Sequence, residues 1–278
     1  CRNIAQHGEL IIPGSVRRET SCGWRSFYPG QKYDSYARVW KPLPLSRSLQ
    51  KQRSLSAVFG NSLYVFGGID PYTAQVSGTV MRLNLSENNL WERKSPMIQP
   101  RTQEGSIVFE SRFYVLGGFQ DTDNENVKRV LHSVECYSPS SDEWQMMPPM
   151  LQPRMNPRGV AVIGSCLYIV DGIDYGRDSE VLNLEWYPEA GLEPYAERYD
   201  SILYTWEALP ERLGPRPLDF VAVTACNDFL YLMGGLDWGR EKYVTLGYLE
   251  VDTAVGLTQR YDPRRNEWEM LRPMSRAR

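Results

Sequence analysis

Short apolar runs, each closed by small turn-forming residues, recur five times along the chain. They read GELIIPGS at 8–15, NSLYVFGG at 61–68, SRFYVLGG at 111–118, SCLYIVDG at 165–172 and DFLYLMGG at 228–235. A second apolar run precedes each, as Ser56-Ala57-Val58-Phe59 and Val221-Ala222-Val223 do. Two such runs separated by Gly, Asn, Ser or Asp predict a β-hairpin.

A tryptophan follows each run: Trp40, Trp91, Trp144, Trp206 and Trp268. Seven residues before four of them stands a tyrosine (Tyr33, Tyr137, Tyr199, Tyr261), while the second unit has Asn84 there. Turn chemistry lies between, as in YSPSSDEW and YDPRRNEW, and predicts a second hairpin. The unit is therefore four short strands, a pair of small residues, then Tyr and Trp. Trp-to-Trp steps are 51, 53, 62 and 62 residues.

Self-similarity at this period resembles the kelch repeat, and the resemblance covers essentially the whole chain. It implies an all-β fold, a kelch-type β-propeller of five four-stranded blades in one domain, 1–278. The repeats run about 1–45, 46–97, 98–150, 151–212 and 213–275. Residues 276–278 begin a further unit or close the ring. Arg276-Ala277-Arg278 joined to Cys1 reads as a repeat start, so a ring closed at five is expected. The alternative is five blades of a six-bladed propeller. Stacked sheets bury apolar faces that one sheet cannot bury alone. One Tyr and one Trp per unit are expected to fill the wedges between blades. Gly14-Ser15 and Asp171-Gly172 depart from the double glycine and predict altered local turns.

Composition narrows the function classes. The net charge is −3 with 23% charged residues, without the basic stripe of a nucleic-acid binder. No apolar run reaches the ~18–20 residues of a membrane helix. Cys1, Cys22, Cys136, Cys166 and Cys226 are odd in number, far apart and without a CxxC pair. They predict neither a zinc site nor a disulfide framework, and point to a reducing, cytoplasmic compartment.

Catalytic patterns are sparse. His7 and His132 are the only histidines and read as solvated turn and strand residues. Two distant histidines do not build a histidine-rich metal site, which argues against propeller oxidases and iron-dependent specifier proteins. No GxSxG elbow or P-loop occurs. A non-enzyme without cofactor is expected, a carboxylate-based glycosidase being the weakest alternative.

Insertions carry the functional signal. From the small pair to the Trp the units span 26, 23, 26, 34 and 33 residues. The two long connections read GIDYGRDSEV from Gly172 and GLDWGREKYV from Gly235, aligning Asp174 with Asp237, Tyr175 with Trp238 and Arg177 with Arg240. Loops on a rigid scaffold suit recognition, and Tyr, Trp and Arg are hot-spot residue types. In kelch-like adaptors the connections between second and third strands share one face with the inter-blade turns, and that face holds the substrate. The resemblance thus implies partner-binding roles for Tyr175, Arg177, Trp238 and Arg240. It implies the same for the repeat-opening residues Arg53, Gln103, Arg158 and Arg278. A ring of arginines favours an acidic protein or peptide ligand. The expected function is the substrate-recognition domain of a BTB–kelch adaptor of a cullin-RING ubiquitin ligase. A cytoskeletal, actin-binding module is the alternative.

Overall fold

The computed structural model describes residues 4–6, 9–12, 15–18, 25–28, 30–44, 51–85, 90–122, 128–155, 157, 159–172, 196–213, 218–219, 221–237 and 253–277. Among these are five four-stranded antiparallel sheets, each a meander in chain order. The first blade joins Ile4–Gln6, Glu9–Ile12, Gln31–Asp34 and Val39–Pro42. The second joins Leu55–Phe59, Ser62–Phe66, Val80–Asn84 and Trp91–Lys94. The third joins Gly105–Phe109, Arg112–Leu116, Val134–Ser138 and Glu143–Met147. The fourth joins Gly159–Ile163, Cys166–Val170, Ala196–Asp200 and Thr205–Ala208. The fifth joins Ala222–Cys226, Phe229–Met233, Thr258–Asp262 and Glu267–Met270. The first strands touch in series from blade one to blade five, giving the radial stack of a β-propeller.

Local sequence explains the hairpin turns among the described residues. Two-residue turns such as Glu110-Ser111 (φ 48° and 60°) and Asn227-Asp228 (φ 50° and 62°) have the left-handed backbone that matches strand twist. In blades one, four and five the second hairpin is capped by its leading aspartate. Asp200 Oδ1 accepts from the amides of Ile202 and Leu203, as Asp34 Oδ1 does from Tyr36 and Ala37. Tyr and Trp then face each other across the strands: Tyr33 with Trp40, Tyr137 with Trp144, Tyr199 with Trp206, Tyr261 with Trp268. In the second blade the partner of Trp91 is Leu83, not Asn84 as the seven-residue spacing suggested. The turn there is one residue longer, which moves the register by one.

The core lies in the wedges between blades. Tyr137 and Trp144 pack with Tyr64, Phe66 and Val80 of the preceding blade. Tyr199 and Trp206 pack with Tyr114 and Leu116, and Tyr261 and Trp268 with Tyr168 and Val170. Four of the five repeat indoles also donate backward across the wedge, from Trp91 to Pro44 O, Trp144 to Ser95 O, Trp206 to Pro148 O and Trp268 to Pro210 O, at 2.8–3.0 Å. Trp40 packs on Tyr33 but stays 41% exposed. No helix among the described residues is long and apolar enough to cross a membrane.

Candidate functional site

Antiparallel meanders put the inter-blade linkers and the connections between second and third strands at one end of every sheet. The small pair closing each second strand makes this end possible. A Cβ on Gly67 or Gly117 would lie 2.3 Å from the carbonyl oxygen of Arg101 or Arg154, so the next linker packs against bare backbone. In blade four Asp171 takes that station at φ 54° and is buried. Its compensation is Arg212, whose Nη2 lies 3.1 Å from Asp171 Oδ1. Arg212 stands six residues after Trp206, as Met97 stands six after Trp91. A glycine–methionine contact in one blade joint has become a buried ion pair in another.

The linkers after blades two, three and four are held by an acid or amide from the third strand of the following blade. Glu135 accepts from the amides of Ile98 (2.7 Å) and Gln99 (3.0 Å) and from Arg101 Nη2 (2.5 Å). Glu197 does the same for the Leu151 amide (2.6 Å) and Arg154 Nε (2.8 Å). Gln259 accepts from the Leu213 amide at 3.2 Å and donates to its carbonyl. Both arginines and both glutamates are fully buried and mutually neutralised. Ile98, Leu151 and Leu213, at equivalent stations, are left exposed.

Above the second and third blades the connections form one platform. Ile69 and Phe119 pair with the repeat-opening residues Gln52 and Thr102. Residues Phe119–Asp121 and Lys128–Val130 make a hairpin. Val76, Phe119 and Met155 form a small core of their own, with Ile69 and Val130 against it. Asp121 ties the two connections: Oδ2 accepts from the Val76 amide at 2.6 Å, and Oδ1 pairs with Lys128. Asp70 Oδ1 accepts from the amides of Tyr72 (2.8 Å) and Thr73 (3.0 Å), which holds its carboxyl below the usual range. That capped turn presents Tyr72 at 70% exposure.

Of the residues expected from sequence, Arg53 and Gln103 are brought together. Both have left-handed backbone, φ 57° and 53°. Thr102 Oγ1 donates to Arg53 O at 3.0 Å, and the Gln103 amide oxygen accepts from the Arg53 guanidinium. Strain of this sort persists where surroundings fix it, often at ligand clamps. Tyr175, Arg177, Arg158, Trp238, Arg240 and Arg278 lie outside the described residues. Tyr72 was not singled out from sequence, although its signal is present. Ile69-Asp70-Pro71-Tyr72 after a double glycine parallels Ile173-Asp174-Tyr175 and Leu236-Asp237-Trp238.

Comparison with known proteins gives the following likenesses. Residues 53–98 and 100–151 match the Kelch motif. Kelch-like protein terF of Aspergillus terreus is 25% identical over 199 residues, covering 70% of this chain and 41% of that protein. Kelch repeat and BTB domain-containing protein 2 of cowpox virus is 28% identical over 159 residues, 56% of this chain and 27% of that one. The match thus spans less than half the length of each of these relatives. The solved structure of YjhT superposes with a TM-score of 0.69 over 99% of this chain and 84% of that one, at 16% identity. That likeness concerns the fold.

Proposed function

We propose, on the premise that this chain is a kelch-repeat β-propeller resembling kelch-like adaptors, that the linker end of its disc is the recognition face for a protein ligand. The observation carrying this reading is Tyr72, an exposed aromatic on an Asp70-capped turn, beside connections locked together by Asp121. Asp174-Tyr175 and Asp237-Trp238 repeat the arrangement in sequence, so three aromatics are assigned to one face. Arg53 and Gln103, just before the first strands of their blades, joined in this assignment by Arg158, Arg177, Arg240 and Arg278, suit an acidic segment of the ligand.

The finer reading is a substrate-recognition domain of a BTB–kelch adaptor serving a cullin-RING ubiquitin ligase in the cytoplasm. It is supported by the BTB-containing relative and by the free thiols Cys136, Cys166 and Cys226. In this reading the chain binds protein and uses no catalytic residue, cofactor, nucleic acid or membrane.

The test is capture of binding proteins by the folded chain, compared with Tyr72→Ala and with Trp238→Ala/Arg240→Ala. Each variant is expected to lose roughly 1–4 kcal/mol of affinity with an unchanged melting temperature. Undiminished binding in both places the ligand elsewhere. Co-purification of the full-length protein with a cullin is expected, and its absence ends the ligase assignment. Pelleting with filamentous actin is the rival result and would favour a cytoskeletal module.

A further inference from the structure

Comparing equivalent stations of the blades isolates one cation. Gln52 pairs with Ile69 as Thr102 pairs with Phe119, so Lys51 occupies in blade two the station of Arg101 in blade three. The acid that neutralises Arg101 is Glu135, the residue after Val134 in the third strand. The residue after Val80 in the third strand of blade two is Met81, buried and apolar. Lys51 therefore has hydroxyls where Arg101 has a carboxylate. Its Nζ donates to Ser77 Oγ and Thr79 Oγ1.

Two properties follow from this exchange. Arginine stays charged at any ordinary pH, whereas lysine releases its proton readily when desolvated. Burial pushes the Lys51 amine down to about 8; Arg93, on the outer strand, pushes the same way, and Asp70, on the neighbouring turn, opposes. The neutral amine that forms on deprotonation is a nucleophile held beside the Ser77 and Thr79 hydroxyls. The residue is half-buried, so part of it remains open to solvent.

We propose that Lys51 is an acylation site, taking the acyl group of small activated donors such as acyl phosphates. The amine nitrogen attacks the carbonyl carbon, a C–N bond forms, the C–O bond to phosphate breaks, phosphate leaves with the electron pair, and the amine proton passes to water. The amide that results is uncharged and removes a cation two residues from Arg53. Modification at this position alters the charge of the linker end, whatever binds there.

The probe is acetyl phosphate, applied to the folded chain from pH 6.5 to 9.5. Acetylation is followed at each lysine by mass spectrometry, with Lys41 and Lys128 as references. Each unit by which an amine is lowered gives roughly tenfold more neutral form at a fixed pH. The Lys51 rate is expected to level off above a midpoint near pH 8 and to exceed that of Lys41 about tenfold or more at pH 7.4. Denaturation in urea should abolish the preference. Met81→Glu, which restores the acid of blade three, should raise the midpoint and reduce the rate, while Met81→Gln should not. A Lys51 rate no greater than that of Lys41, still rising at pH 9.5, overturns the proposal. That profile decides the matter even if Met81→Glu does not fold.

Discussion

The carboxyl of Glu104 is 6% exposed and neither oxygen has a hydrogen-bond partner. It reaches from blade three toward blade two, where a Cβ on Gly67 would lie 2.9 Å from Oε1. Burial pushes it up to about 8, against the weaker pull of Arg101. Below about pH 4.5 folded and unfolded chains both hold this proton. Between there and pH 8 only the folded chain does, so this residue's contribution to stability falls as pH rises and is gone above pH 8. Glu104→Gln is expected to gain on the wild type across that window by roughly 1–4 kcal/mol. Urea midpoints at pH 5 and pH 8 measure it; an equal difference at both pH values refutes the assignment. Nothing in the sequence marks Glu104, because an acid before a strand is ordinarily solvated. Its burial comes from the neighbouring blade.

Asp171 and Arg212 make the same lesson testable. Either Asp171→Gly or Arg212→Met alone removes one side of a buried ion pair, at a cost of roughly 3–5 kcal/mol. The double variant restores the pairing of Gly67 with Met97, and is expected to melt near the wild type. Additive losses in a thermal double-mutant cycle would mean the two residues do not compensate each other. The departure from double glycine was visible in sequence. Its partner, 41 residues on, was not, since only the blade joint brings them together.

At the scale of the element, the Tyr–Trp hairpin is the part read most directly from sequence. The turn residues fix the register, the register sets the two rings face to face, and the preceding blade covers them. Trp144 has that cover, with Phe66 at 6.0 Å and a hydrogen bond to Ser95 O. Trp40 has the same intrablade partner and no such cover among the described residues. Trp144→Ala is therefore expected to cost roughly 3–5 kcal/mol in denaturant titration, and Trp40→Ala well under half of that. Equal costs would mean that a further blade packs over Trp40 in solution, as a closed ring requires. The one hairpin misread, in blade two, shows how register depends on turn length: one added residue exchanged Asn84 for Leu83 opposite Trp91.

Across the whole molecule, stability is spread over a series of wedges, and the linker end is where those wedges leave backbone and side chains free to vary. The repeated alternation of apolar and turn residues determined the sheets, their order and the stations of the aromatic pairs. Those features rest on contacts within one or two strands, where chain neighbours and spatial neighbours coincide. The pairing of Arg101 with Glu135, the burial of Glu104, the exchange of Gly67 and Met97 for Asp171 and Arg212, and the setting of Lys51 between two hydroxyls were decided by tertiary structure alone. Each depends on which residue of one blade lies against which residue of the next, a relation set by radial stacking.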